Sequence, residues 1–320
     1  MKIGMIGTGW FADMHCDLLE QMEGVQVAAV CGTSQAKAEH FASQRRNAAS
    51  YADVEEMLEQ EKLDAVYICV PPFAHGAIER AVVARQIPFF IEKPIALDEE
   101  LPAQIQHQLQ QSGLITSVGY HFRYTDGAEK LLELLKGRTV GMALGTWLGD
   151  MPRVAWWRKQ EGSGGQFLEQ TTHIVDLLRY TLGEVTEVYA ATALRHMNTI
   201  EEGVTVDDVG TVTLKLASGA VANISNTCML PKSDRSGLQI YTDLGVLEVN
   251  HNGVTASTVG QNVTYHNQSN PYIKENEAFI HAVRTGDTQF IRSTYADAIL
   301  TQRIATAALR SAQSGLPVVL

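Results

Sequence analysis

The feature that most constrains this chain is the regular alternation of its first 119 residues between short apolar runs and amphipathic stretches. The runs are Ile3–Ile6, Val25–Cys31, Ala65–Val70, Pro88–Ile91 and Ile115–Gly119. Helical patterns separate them at Ala36–Ala42, Val54–Gln60, Ala77–Gln86 and Glu99–Gln111, with Asp53 and Asp98 placed as N-caps. A strand that is apolar throughout has both faces covered, and a helix between successive strands makes them parallel. The pattern therefore predicts a doubly wound Rossmann domain over residues 1–120.

The first run ends in Gly7-Thr8-Gly9-Trp10-Phe11-Ala12, which matches G-x-G-x-x-[GA]. The first glycine permits a tight turn, the second lets backbone approach a pyrophosphate, and the small third residue lets helix and strand pack closely. The pyrophosphate would sit on the N–H groups at the start of the helix that follows. Gly7, Gly9, Trp10 and Phe11 are the cofactor-binding candidates there. Glycines at a turn are often only a turn, but this one joins the first strand to the first helix of a βαβ unit.

The end of the second strand bears on which dinucleotide binds. An Asp or Glu there usually bonds the ribose hydroxyls of NAD. This chain reads Val30-Cys31-Gly32-Thr33-Ser34 and then Lys37, with no carboxylate. Two hydroxyls and an ammonium suit a 2′-phosphate, so NADP is favoured and NAD remains possible. The plainer reading makes Ser34 a helix cap and Lys37 a solvated charge.

Near residue 120 the pattern changes, which sets a second domain over residues 121–320. A helix at Gly127–Leu135 precedes a glycine-broken segment and one long helix at Phe167–Leu182. Strands are expected near Val185–Ala193, Val209–Leu216, Ala220–Cys228, Leu238–Thr242 and Gly245–Val249, with helices at Tyr272–Thr285 and Ala296–Ser314. A turn such as Ala217-Ser218-Gly219 makes the sheet antiparallel. Its polar face is rich in Thr, Ser and Asn with few charges, which suits cover by another subunit. The fold class expected is α/β: a Rossmann domain followed by an α/β domain with an open, mainly antiparallel sheet.

Composition narrows the partners. Twenty-five basic against thirty-six acidic residues give a net charge of −11. That balance disfavours nucleic acid and anionic membranes. Cys16, Cys31, Cys69 and Cys228 form no C-x-x-C pair, and no metal site is expected. No apolar region of signal-peptide or membrane-span type is evident, so the expected location is the cytoplasm.

Glu92-Lys93-Pro94 follows the fourth run, and Val70-Pro71-Pro72-Phe73-Ala74-His75 follows the third. Together with the glycine motif these resemble the glucose–fructose oxidoreductase/inositol dehydrogenase (Gfo/Idh/MocA) family. The resemblance continues through Val118–Tyr124, Trp157-Arg158, Ser163-Gly164-Gly165-Gln166, Glu169–Asp176 and a C-terminal Ala-Leu-Arg-Ser. It implies an NAD(P)-dependent oxidoreductase acting on a sugar, cyclitol or related polyol, often oligomeric (dimer or tetramer) through the second sheet. It also implies a Lys–Asp–His catalytic group, which falls on Lys93 and His173. The acidic position holds Glu169 here, where Asp is commoner.

The residue chemistry agrees with that assignment. Oxidising an alcohol sends a hydride to the nicotinamide and a proton to a base, a task suited to His173. An ammonium at Lys93 stabilises the oxygen as it becomes alkoxide-like. On a continuous helix Glu169, Thr172, His173 and Asp176 form one stripe, at i, i+3, i+4 and i+7. Asp176 thereby joins the substrate-side candidates.

Glu92, Pro71, Pro72 and His75 are expected on the cofactor side, although His75 also reads as a helix-start residue. Tyr120, His121 and Arg123 are expected where substrate hydroxyls reach, and Arg123 equally suits a structural bridge. Trp157 and Arg158 offer a flat face and a donor fork to a sugar ring, or a core position. His15 is read as structural. Two alternatives remain open: a non-catalytic nucleotide-dependent sensor or regulator, and a glycoside-cleaving enzyme with tightly bound NAD.

Overall fold

The computed structural model describes all 320 residues. In chain order it begins β1 (Lys2–Ile6), α1 (Trp10–Leu19), β2 (Gln26–Cys31), α2 (Gln35–Ala42), β3 (Ala49–Tyr51), α3 (Val54–Gln60) and β4 (Ala65–Ile68). Next come α4 (Ala77–Ala84), β5 (Phe89–Ile91), α5 (Glu100–Ser112), β6 (Thr116–Val118), α6 (Asp126–Leu135) and β7 (Val140–Leu148). Then follow α7 (Gln160–Ser163), α8 (Gln166–Glu169), α9 (Thr172–Leu182), β8 (Val185–Ala193) and α10 (Met197–Ile200). Strands β9 (Val209–Leu216), β10 (Val221–Thr227), β11 (Arg235–Thr242), β12 (Gly245–Asn250), β13 (Gly253–Thr258) and β14 (Gln261–His266) run in succession. The chain closes with α11 (Pro271–Thr285), α12 (Tyr295–Ser314) and β15 (Val318–Val319).

Two compact units result: Met1–Ala96 with Glu100–Gly119 and Tyr272–Ala298, and Leu97–Glu99 with Tyr120–Pro271 and Ile299–Leu320. A single cut near residue 120 therefore leaves out one piece of the first unit. The reason lies in α11, which delivers Phe279 and Ile280 to the core formed by Ile3, Met5, Tyr67, Phe90 and the α1 residues Ala12, Cys16 and Leu19.

The first unit holds a six-stranded sheet in the order β3-β2-β1-β4-β5-β6, parallel throughout. Strand β3 is the one element here that the sequence did not announce. It has three residues, of which only Tyr51 is buried, too few to set a period. Asp53 caps α3 by accepting from the Glu56 N–H at 2.9 Å.

The second unit holds nine strands in the order β14-β13-β12-β11-β7-β10-β9-β8-β15. Neighbours are antiparallel except β7 and β10, which run parallel. Both sheets match the α/β class expected. Helices α6, α9 and α12 cover one face with Leu131, Ile174, Leu178 and Ile304. The other face carries Met142, Leu144, Thr213, Asn223 and Ser225, alternating with buried Ala143, Leu214, Ala222 and Ile224.

Strand β7 replaces the expected glycine-broken segment. Its Gly145 is a contact requirement: a Cβ there would meet Ile174 Cγ2 at 2.7 Å and Ile224 Cγ1 at 2.9 Å. The expected helix Phe167–Leu182 is likewise two helices, broken at Gln170-Thr171. The Thr171 N–H reaches back to the Gln166 carbonyl at 2.9 Å, which ends α8 before α9 starts. Glu169 thus leaves the stripe of Thr172, His173 and Asp176. No helix is long and apolar enough to cross a membrane.

Candidate functional site

In the first unit, Gly7 has φ +118, and a Cβ there would lie 2.1 Å from the Cys69 carbonyl oxygen. Only glycine fits that turn. The loop is held by the Gly7 N–H donating to Cys31 O at 2.9 Å and the Cys69 N–H donating to Ile6 O at 2.8 Å. Gly9 precedes α1 with extended backbone and no side-chain cap, and nothing lies within 4 Å of its Cβ position. Ala12 is fully buried, Phe11 is half-buried and Trp10 is exposed. The open helix start, with backbone N–H groups and no competing side chain, fits a dinucleotide pyrophosphate.

At the end of β2, Ser34 caps α2 by accepting the Lys37 N–H, and the Lys37 ammonium donates to Thr33 Oγ1 at 3.2 Å. Thr33, Ser34 and Lys37 are all exposed. Beyond β4, Pro71 leads into the turn Pro72–Ala74, after which His75 is buried. Its Nδ1 lies 2.6 Å from Glu79 Oε1, while Glu79 Oε2 accepts the Gly76 N–H. Burial opposes the Glu79 charge, but His75 and the backbone donors outweigh it and hold that carboxyl below its usual range.

Glu92 and Lys93 follow β5 and are both buried. The Glu92 N–H donates to Ile68 O at 2.9 Å, which ties this segment to the end of β4. Lys93 carries its ammonium 6.0 Å from the centre of the Phe11 ring, and its backbone N–H donates to Glu92 Oε2 at 3.2 Å. Behind it, Glu92 Oε1 lies 3.1 Å from His15 Nε2. Gly119 makes room for that carboxylate, since a Cβ there would come within 2.6 Å of Glu92 Oε1.

In the second unit, α9 places His173 in an aromatic enclosure. The His121 ring centre is 4.6 Å away, Phe122 5.4 Å, and Trp147 5.7 Å and nearly parallel. Tyr120 stands edge-on at 6.0 Å, its hydroxyl 3.1 Å from Thr172 Oγ1. Sequence reasoning missed Phe122 and Trp147. Trp147 belongs to β7, and once β7 is read as a strand the residue falls on it.

Other expected contacts turn inward. Asp176 is fully buried and accepts from Arg123 Nε at 2.7 Å, Arg123 Nη2 at 2.6 Å and Thr301 Oγ1 at 2.8 Å. Asp176 was expected to face substrate, and Arg123 either substrate or a structural bridge, yet the fork of one is occupied by the carboxylate of the other. The Trp157 indole, read as one possible sugar platform, is 1% exposed and packs with Met151, Val204, Val206 and Cys228. Its Nε1 donates to Glu169 Oε2 at 2.5 Å, so Glu169 is oriented by that ring. Arg158 pairs with Glu201 and donates to the Pro152 carbonyl. All four cysteines are free thiols; burial first, then Asp53, pushes Cys31 up to about 11, and burial first, then Asp208, pushes Cys228 up to about 12.

A parallel sheet in this strand order, opening on a glycine turn into an uncapped helix, defines a dinucleotide-binding α/β protein. Residues 1–120 match the oxidoreductase family with an NAD-binding Rossmann fold, and residues 138–248 match the GFO/IDH/MocA C-terminal domain. The chain belongs to the GFO/IDH/MocA oxidoreductase family, as its resemblances implied. It is 25% identical to scyllo-inositol 2-dehydrogenase (NAD(+)) of Bacillus subtilis, over 99% of this chain and 96% of that one. It is also 25% identical to D-xylose 1-dehydrogenase (NADP(+)) 2 of Haloferax volcanii, over 99% of both chains. A solved levoglucosan dehydrogenase, in complex with NADH and L-sorbose, shares the fold at TM-score 0.89 and 18% identity, covering 100% of this chain and 98% of that one. The chain is thus an NAD-binding oxidoreductase with sugar and cyclitol dehydrogenases among its homologues.

Proposed function

We propose that this enzyme interconverts an alcohol and a ketone or lactone on a sugar, cyclitol or related polyol, with Lys93 and His173 as catalytic residues. The observation that carries the reading is the buried Lys93 at the carboxyl end of β5, its ammonium beside Phe11 at the start of the pyrophosphate helix. The bound nicotinamide supplies the hydride acceptor. As the carbinol C–H bond breaks, its electron pair leaves as hydride; the hydroxyl proton passes to His173 and the C=O bond forms. Lys93 donates to the oxygen while negative charge develops on it. The aromatic enclosure of His173 keeps bulk water from competing for that proton. Glu169 sets the local chain through Trp157, and the Arg123–Asp176 pair anchors the middle of α9; all three act as positioning residues. Gly7, Gly9, Trp10, Phe11, Pro71, Pro72, His75 and Glu92 frame the dinucleotide, and Tyr120 and His121 flank the substrate oxygen. Thr33, Ser34 and Lys37 favour NADP, and the charge-poor open face of the nine-stranded sheet joins copies of the chain.

A panel of sugars, cyclitols and anhydrosugars, followed by nicotinamide absorbance with both cofactors, tests the reading. The expected result is turnover of at least one CH–OH compound. Lys93→Met then lowers kcat by about 10²–10³-fold. His173→Ala lowers it by about 10²–10⁴-fold and removes the acid limb of alcohol oxidation. No turnover across the panel, or either variant within about threefold of the parent, overturns the corresponding assignment.

A further inference from the structure

Behind Lys93 the first unit encloses His15, Glu92 and Glu275, whose ligand-type atoms all lie within 4.8 Å of one another. His15 and Glu275 are fully buried. Asn276 Oδ1 lies 3.0 Å from His15 Nδ1 and can only accept, so that ring nitrogen carries the hydrogen. His15 Nε2 faces Glu92 Oε1 at 3.1 Å, and two acceptors at that distance need a proton between them. Both oxygens of Glu275 are without a hydrogen-bond partner. A carboxylate in that condition is among the most costly groups a fold can bury.

We propose that Glu275 holds a proton at neutral pH and is a positioning residue, leaving Glu92 as the carboxylate that fixes the backbone at Lys93 through His15 Nε2 and the Lys93 N–H. A second ionised carboxylate this close would repel Glu92 and weaken both of its contacts. A neutral Glu275 fills the same volume without that repulsion. The titratable groups around it come from several elements: His15 and Cys16 on α1, Cys69 after β4, Glu92 after β5 and Tyr272 on α11. The proton between His15 Nε2 and Glu92 Oε1 is held by that pair, none of these groups brings a hydrogen-bond donor to Glu275, and burial, then the Glu92 charge, push Glu275 well above the ordinary carboxylate range.

The sign of the pH effect follows. A carboxyl whose folded pKa is raised gives its full stability below its unfolded pKa, and that stability is lost as pH rises toward the folded value. Thermal unfolding of the parent and Glu275→Gln is measured from mildly acid to mildly alkaline pH. Relative to the variant, the parent melts progressively lower as pH rises. Infrared spectroscopy at neutral pH shows a protonated-carboxyl C=O band in the parent that Glu275→Gln removes. Glu275→Met, a second neutral replacement, serves both readouts should the Gln variant not fold. Four outcomes overturn the proposal: no such band, a band that survives the substitution, a melting difference that ignores pH, or a stoichiometric divalent cation retained in this cluster. None of these measurements uses turnover or the role of Lys93, so the proposed reaction can stand or fall separately.

Discussion

At the scale of single residues, the end of β2 carries the sharpest choice. Lys37 already leans on Thr33, so a 2′-phosphate would meet an ammonium and two hydroxyls on one short loop. Hydrogen bonds to charged groups contribute about 1.5–3 kcal/mol, so Lys37→Ala should weaken NADP by roughly ten- to a hundredfold and leave NAD nearly unchanged. Cofactor titration by fluorescence reads both constants, and a parent that binds NAD at least about tenfold more tightly than NADP sinks this account of the loop. Introducing Asp at Gly32 is a poorer test, because its Cβ would press to 3.1 Å from Thr8 Cγ2 and 3.2 Å from the Ala38 nitrogen. Lys93 and His173 were legible as candidates, because their motifs survive without the fold. The pairing of Arg123 with Asp176 was not, since a buried ion pair depends on which elements meet. Glu275 was hidden for a related reason: Lys274-Glu275-Asn276-Glu277 reads as a solvated helix face, and only the sheet beneath α11 decides which of its carboxylates turns inward.

At the scale of elements, periodicity served where the core is on one side and failed where glycine or a break interrupts it. The bounds of strands β8 and β9 were placed to the residue, and β9 alternates, with Val212, Leu214 and Leu216 buried. Strand β7 was lost because Gly141 and Gly145 look like punctuation until Ile174 and Ile224 are seen to need the space at Gly145. The junction after β8 depends on one carboxylate. Asp208 is fully buried and accepts N–H bonds from Arg195 at 2.9 Å, His196 at 2.7 Å and Met197 at 2.8 Å, setting the entry to α10. Burial works against its charge, but those three donors prevail and hold its pKa below the usual carboxylate range. Its contribution is therefore present above the unfolded pKa and lost as pH falls through the folded one. Asp208→Asn should cost about 1.5–3 kcal/mol at neutral pH, and less as the medium becomes acid. Guanidinium unfolding at two pH values measures this, and a cost that does not shrink in acid would count against the charged form.

At the scale of the whole molecule, the open face of the nine-stranded sheet invites a second copy. Met142, Leu144 and Val221 are exposed there beside Thr211, Thr213, Asn223 and Ser225, which already hydrogen-bond to one another. The face carries few charges, with Lys215 beside Val221 paired to Glu187, and that depletion is the composition of an interface core. Sedimentation should find a dimer or tetramer, and Leu144→Glu with Thr213→Lys should release monomers that keep their fold. A parent that sediments as a monomer at micromolar concentration would remove this face from consideration.

The division of the first unit into separated stretches also governs the order in which the protein can be made. The strands carrying Tyr67 and Phe90 leave the ribosome early, but Phe279 and Ile280, which close that side, are translated roughly 150 residues after Gly119. At about 5–20 residues per second that is a wait on the order of ten seconds or more. Throughout it the nascent nucleotide-binding half lacks the two side chains that cover Tyr67 and Phe90, an exposed apolar surface of the kind that makes nascent chains prone to aggregate.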